Sequence, residues 1–176
     1  LIPVNCGDEL NVPGGHYILT DPLSCPLSPT AVVITAPDVK LDLNGYTIRG
    51  SGVNVGVLVK SYGAQIHGGT VAGFGQGIHL SHARDTVVEK ITLVGNVVGI
   101  FVENGENNTI RITTSLFNEV GIELSTASVG NTVATNAALN NTSMDLVDSA
   151  PCGNFWSDNT FTKDSEGDGP RVGCIR

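Results

Sequence analysis

The sequence predicts an all-β fold: a right-handed, single-stranded parallel β-helix (solenoid) of about six coils, with a cap at each end. Three observations lead there. The dipeptide Gly77-Ile78 of "GQGIHLSHARDTVV" returns as Gly99-Ile100 and Gly121-Ile122, each 22 residues after the last, and a fixed period of that size marks an internal repeat. The composition, with 22 glycines, few aromatics and many Val, Ile, Thr and Asn, favours strands and tight turns over helices. Within each copy, two short alternating stretches are broken by Gly, Asn, Ser or Asp, which is too short and too β-branched for paired helices.

Taken in order, the single domain 1–176 divides into three parts. Residues 1–30 fall outside the period, contain "VPGGHYILT" and are expected to cover the first coil, since an open sheet end invites edge pairing. Residues 31–161 carry six copies, each with one apolar row that is buried only when copies stack. The expected column runs Val32/Ile34, Val57/Val59, Ile78/Leu80, Ile100/Val102, Ile122/Leu124 and Met144/Leu146. Leucine-rich repeats share the period, but their LxxLxLxxN signature and any helical half are missing. Residues 162–176 are expected to cover the far end.

The repeated glycines are read as the points where the chain turns into each new coil, at backbone angles Gly tolerates. Two rows of stacked amides are expected at the bends: Asn96, Asn118 and Asn140 at a spacing of 22, and Asn108, Asn131 and Asn154 at 23. Such rows hydrogen-bond along the stack and satisfy turn backbone, so they are architectural. The four cysteines fall as Cys6 with Cys25 and Cys152 with Cys174, leaving the repeated middle without any. Three pairings are formally possible; two local bridges suit an elongated molecule, and the rival metal site would need converging thiols or a CxxC spacing.

Composition also narrows the partners. A formal charge of −8 without a Lys/Arg cluster argues against nucleic acid, and no apolar run approaches the roughly 20 residues of a membrane span. The start at "LIPVNCGDEL", with neither Met nor leader, is read as a removed signal peptide or a trimmed chain. Together with disulfides, that predicts a secreted or periplasmic protein.

The stretches "APDVKLDLNGYTIRG" and "GGTVAGFGQGI", followed by "NNTI"-type coils, resemble the secreted and periplasmic right-handed parallel β-helix proteins described as NosD-like or pectate-lyase-like. The resemblance spans nearly the whole chain, with "LDLNGYTI" its most specific piece. It implies the fold, in a superfamily of polysaccharide lyases, glycoside hydrolases, uronate epimerases, tailspike domains and proteins without known activity, so it leaves function open. The paired-Asp and Gly-His-Gly motifs of polygalacturonases, the Asp-Pro-His of mannuronan epimerases and the acidic calcium set of pectate lyases are absent, and no catalytic residue carries over.

The richest surface is the outward face of the Gly-Ile strand. In register it reads Leu58, His79, Phe101, Glu123, Asp145, and two positions on Lys60, Ser81, Glu103, Ser125, Val147. Adjacent coils lie roughly 4.8 Å apart, so Glu123 and Asp145 are expected to face each other, with Glu103 diagonal and His79 two coils above. Carboxylates that close raise one pKa toward general-acid range, suit a retaining glycosidase, and could hold Ca²⁺ with a third. The bland alternative is a solvated strand face, where charge belongs. A second row, Asp42, His67, Glu89, Arg111, reads either as an ion-pair ladder or as substrate contacts in which His67 and Arg111 serve a uronate.

In "DSEGDGPR", Asp164, Glu166 and Asp168 copy half a calcium loop, but position 175 is Ile where a bidentate Glu is needed. Four scattered His and one Met give no copper or zinc donor set. The expected function is a secreted carbohydrate-active protein that binds a polysaccharide or oligosaccharide near His79, Phe101, Glu103, Glu123 and Asp145. If it is an enzyme, it falls in the lyase, hydrolase or epimerase class. The competing class is a non-catalytic structural, adhesive or binding module, which the even coil lengths favour.

Overall fold

In the computed structural model, which describes residues 1–150, 152–167, 169 and 173–176, the chain winds as a right-handed parallel β-solenoid without helix among the described residues. A seven-stranded sheet stacks Asp8–Leu10, Thr30–Ile34, Val55–Val59, Gln76–Ser81, Val98–Glu103, Val120–Leu124 and Met144–Asp148. A twelve-stranded sheet takes the rest of each turn, and every pairing is parallel. One face of each strand is buried against the core and the other is turned outward, so buried and less buried residues alternate along the strands.

The predicted column forms. Ile78 aligns with Val57 and Ile100, and Leu80 with Val59 and Val102, all fully buried. The opposite sheet answers with Leu41, Ile66, Val88, Ile110 and Val133 in register. Each such aliphatic chain contributes roughly 1.5–3 kcal/mol on burial, and a stack makes the contribution repeat.

Four details differ from expectation. Residues 8–24 supply strands to both sheets, so the N-terminal segment holds a coil of its own as well as a cover. Gly77, Gly99 and Gly121 are not at positive φ; their reason is space, since a Cβ on Gly77 would lie 2.7 Å from the Gly99 carbonyl oxygen and 2.9 Å from Leu93 Cδ2. The first amide row continues through Asn141, because the coil after Asn118 is one residue longer; Asn140 instead takes φ +58° on the surface.

The fourth is register. Val120 pairs Met144 and Ile122 pairs Leu146, so Leu146 rather than Met144 enters the column and Val147 lies beside Glu123. Asp145 falls at the glycine position, 1% exposed inside the stack.

Three amide ladders run down the corners, the third through Thr113, Asn136 and Asn159. In each asparagine step the residue donates its main-chain N–H and side-chain Nδ2 to the Oδ1 below, as Asn108 does to Asn131 at 2.9 Å, and Thr113 does the same to Asn136 with its N–H and hydroxyl. The remaining Nδ2 hydrogen goes to a carbonyl of the coil above, for Asn131 that of Gly105. Buried amides are tolerated here because their donors and acceptors are matched.

At the C-terminal end, Asp145 Oδ1 takes the Asn141 donors, Asp148 takes Asn154 Nδ2 and Trp156 Nε1, and the Arg176 carbonyl takes Asn159 Nδ2. Asp145 Oδ2 accepts from the N–H groups of Thr162 and Lys163. Both expected disulfides, Cys6–Cys25 and Cys152–Cys174, are present.

Candidate functional site

The outer wall of the seven-stranded sheet presents one continuous row: Glu9, Val33, Leu58, His79, Phe101, Glu123 and Val147. It forms because each strand turns out of its corner with two consecutive buried residues, after which alternation resumes and every second residue faces outward, as His79 and Ser81 do in one strand and Phe101 and Glu103 in the next. The neighbouring row carries Lys60, Ser81, Glu103 and Ser125, with Ser81 paired to Glu103.

A hydrogen-bonded network fixes this surface. His79 Nε2 lies 3.0 Å from Glu103 Oε2, which Ser81 Oγ also approaches at 3.1 Å. Ser81 Oγ lies 3.3 Å from His82 Nδ1, and His82 Nε2 lies 3.1 Å from Asn104 Nδ2. One proton arrangement satisfies all four contacts: Asn104 donates to His82 Nε2, His82 Nδ1–H to Ser81, Ser81 to Glu103, and His79 Nε2–H to Glu103. His79 Nδ1 then remains as the ring's acceptor, without a hydrogen-bond partner among the described residues.

The side chains are 15% exposed at His79 and 40% at Glu103. Burial holds the His79 pKa below its usual value, outweighing the hydrogen bond and charge of Glu103. The Ser81 hydroxyl, helped by His79, holds Glu103 below the ordinary glutamate range. One coil beyond Phe101, burial pushes Glu123 up. Phe101 lies between the two, its ring centroid 5.2 Å from that of His79 and tilted by 37°. An imidazole of lowered pKa, a half-buried aromatic and a carboxyl of raised pKa are thus spaced by single coils.

The structure therefore brings together His79, Phe101, Ser81, Glu103 and Lys60, with Glu123 one coil away. Asp145 does not join them. Burial opposes its charge, but the hydrogen bonds from Asn141, Thr162 and Lys163 outweigh burial and lower its pKa. The expected pairing of Glu123 with Asp145, and any calcium cluster built on it, is replaced by an internal ladder end.

On the other sheet, Arg111 is held by Glu89 at 2.8 Å and His67 stands 3.6 Å from Asp42, around a hollow of about 170 Å³. Arg111 Nε and Nη2 both meet the Glu89 carboxylate, an ion pair across adjacent coils.

Two features escaped the sequence. His82 and Asn104 extend the network; their signal is identical placement in successive coils, 22 residues apart. A recess of about 470 Å³ lined by Val53, Val55, Gly75, Gln76, Val97 and Val98 opens at the starts of the same strands. Gly75 lies on its lining, where a Cβ would come within 3.1 Å of the Asn54 and 3.2 Å of the Val53 carbonyl oxygen.

Metal-ligating groups are sparse. All four cysteines are bridged, and the cluster of Cys152, Glu166 and Cys174 offers disulfide sulfurs. Asp164 Oδ1 accepts from the main chain of Glu166 and Gly167, and Glu166 accepts from the N–H groups of Cys174 and Ile175. Their side chains are turned to the backbone, and Asp168 lies outside the described residues.

Residues 38–170 match the family described as "Periplasmic copper-binding protein (NosD)". The chain belongs to the NosD family. No curated protein sequence matches it. Among solved structures, that of an alginate lyase from Paenibacillus sp. str. FPU-7 is similar with a TM-score of 0.60 at 14% identity, covering 87% of this chain and 69% of that one. At that identity the likeness is one of fold, and it places this NosD-family member among parallel β-helices.

Proposed function

We propose that this NosD-family protein is an exported carbohydrate-binding β-helix that holds a saccharide against the outer wall of its seven-stranded sheet. The observation that carries the reading is Phe101, half-buried on the outer face of the sheet and flanked in register by His79 and Glu123. A sugar has an apolar C–H face and a rim of hydroxyls; Phe101 and the Val53–Val97 recess suit the first, and Ser81, Glu103, Glu123 and Lys60 suit the second. Export is supported by the family's periplasmic description and by two disulfides.

Copper, named in the family's description, does not fit these residues. Soft or imidazole donors in a group of three are needed, whereas the thiols are bridged, Met144 is single, and no histidine belongs to a three-ligand cluster among the described residues.

One observation favours a second, catalytic reading. Burial lowers the His79 pKa, Glu103 orients the ring through Nε2, and Nδ1 is left as acceptor, which is the arrangement of a general base. Glu123, with its raised pKa, would be the acid.

Isothermal titration against a panel of neutral and acidic oligosaccharides tests the binding reading, with wild type beside Phe101→Ala. A loss of about tenfold in affinity, with the melting temperature nearly unchanged, is expected. Equal binding by the variant would overturn it. Product release that disappears in His79→Gln would establish the catalytic reading.

A further inference from the structure

The charge on the wall narrows its ligand, given the carbohydrate reading above. Along the central row the carboxylates of Glu9 and Glu123 bracket Val33, Leu58, His79 and Phe101. The adjacent row adds Glu103 and contributes a single ammonium, Lys60. Glu9 is held outward by the Thr35 hydroxyl at 2.8 Å. Arginine, the residue that pairs bidentately with carboxylates, occupies no position in either row.

A polyuronate presents one carboxylate on every sugar. Laid across strands spaced roughly 4.8 Å apart, close to the length of one extended pyranose, it would set successive carboxylates beside Glu103 and Glu123 with only Lys60 to answer them. Like charges in contact at a binding face are a strong discriminator, and the overall charge of −8 repels a polyanion before it arrives. Apolar and hydroxyl contacts are what the wall retains.

We infer that the wall selects an uncharged, extended glycan lying along the solenoid axis, with sugar rings over Leu58, His79 and Phe101 and hydroxyls toward Ser81, Glu103 and Glu123, and that it rejects polyuronates. The selectivity therefore departs from the substrate in the name of the alginate lyase that shares its fold.

The test is titration of the whole protein at low and high salt with neutral β-1,4-linked gluco-, xylo- and manno-oligosaccharides, and with oligomers of alginate and polygalacturonate. Neutral chains are expected to bind at least tenfold more tightly than uronates at low salt, with the gap narrowing as salt screens the wall. Glu123→Gln is expected to raise uronate affinity severalfold at low salt only. Uronates binding as well as neutral chains would overturn the selectivity while leaving carbohydrate binding intact. Failure of both classes to bind would overturn the carbohydrate reading itself, so the two failures are separable.

Discussion

Glu123 and Asp145 sit one coil apart, and the same chemical group does opposite things at the two places. At the C-terminal end of the stack, Asp145 is sealed inside and both oxygens are filled by four N–H donors. On the outer wall, burial raises the Glu123 pKa with no hydrogen bond among the causes. A carboxylate whose lone pairs are all matched belongs to the architecture, whereas one left partly desolvated and unmatched is free to meet a ligand.

The sharpest way to break that contrast is to exchange the two carboxyls for amides. In Asp145→Asn an NH₂ must face donors, and a loss of about 3 kcal/mol, or roughly 6–12 °C in melting temperature, is expected. Glu123→Gln should lie within about 0.5 kcal/mol of wild type at neutral pH. Thermal unfolding decides; similar values for the two variants would remove the distinction.

Next in size is Asn118→Ala, which strands ladder donors from Asn96 and acceptors at Leu93 and Ser115. It is expected to cost about 2–3 kcal/mol. Asn140→Ala, one residue outside the ladder, should cost less than 1 kcal/mol, part of it from its positive φ. Urea midpoints that fail to separate the pair would place the ladder at Asn140 after all.

The smallest effect is with pH. His79 is lowered by burial from 6.5, so the unfolded chain takes its proton first as pH falls through that value, and stability present above it is lost below. Glu103, lowered from 4.5 by Ser81, acts in the same direction at more acid pH. Glu123, raised by burial, acts oppositely, losing stability as pH rises through its folded value. The urea midpoint should therefore fall between pH 7.5 and 5.5, and His79→Gln should flatten that slope; an unchanged slope would mean His79 is not the group responsible.

Much of the scaffold was legible in the sequence because burial repeats with the coil: the Ile78–Ile100–Ile122 column, the Asn108–Asn131–Asn154 ladder and the His67–Glu89–Arg111 row all stand where a period of 22 or 23 puts them. Asp145 was misplaced for two physical reasons. The step from Gly121 to its structural partner is 24 residues, and the corner buries two consecutive residues where strict alternation expects one inside and one outside. A period averages over one-residue insertions; hydrogen-bond satisfaction does not. The His79–Glu103 contact was readable only as proximity, since which carboxylate an imidazole meets depends on side-chain direction across two rows.

The ladders have a direction. Each amide sends one Nδ2 hydrogen to the Oδ1 of the next coil and the other back to a carbonyl of the coil before, so every inner coil offers the next one the same pattern it received, while the Asp145 and Asp148 side chains receive without passing on. A duplicated inner coil would find its neighbours' donors and acceptors already in place, whereas at Asp145 and Asp148 the side chains only accept and the onward donors are main-chain N–H groups, to Lys163 and Ser165. An inner coil therefore presents the same matched side-chain groups on both of its faces, whereas the coil of Asp145 and Asp148 would carry the two ladders onward only with those carboxylates exchanged for amides.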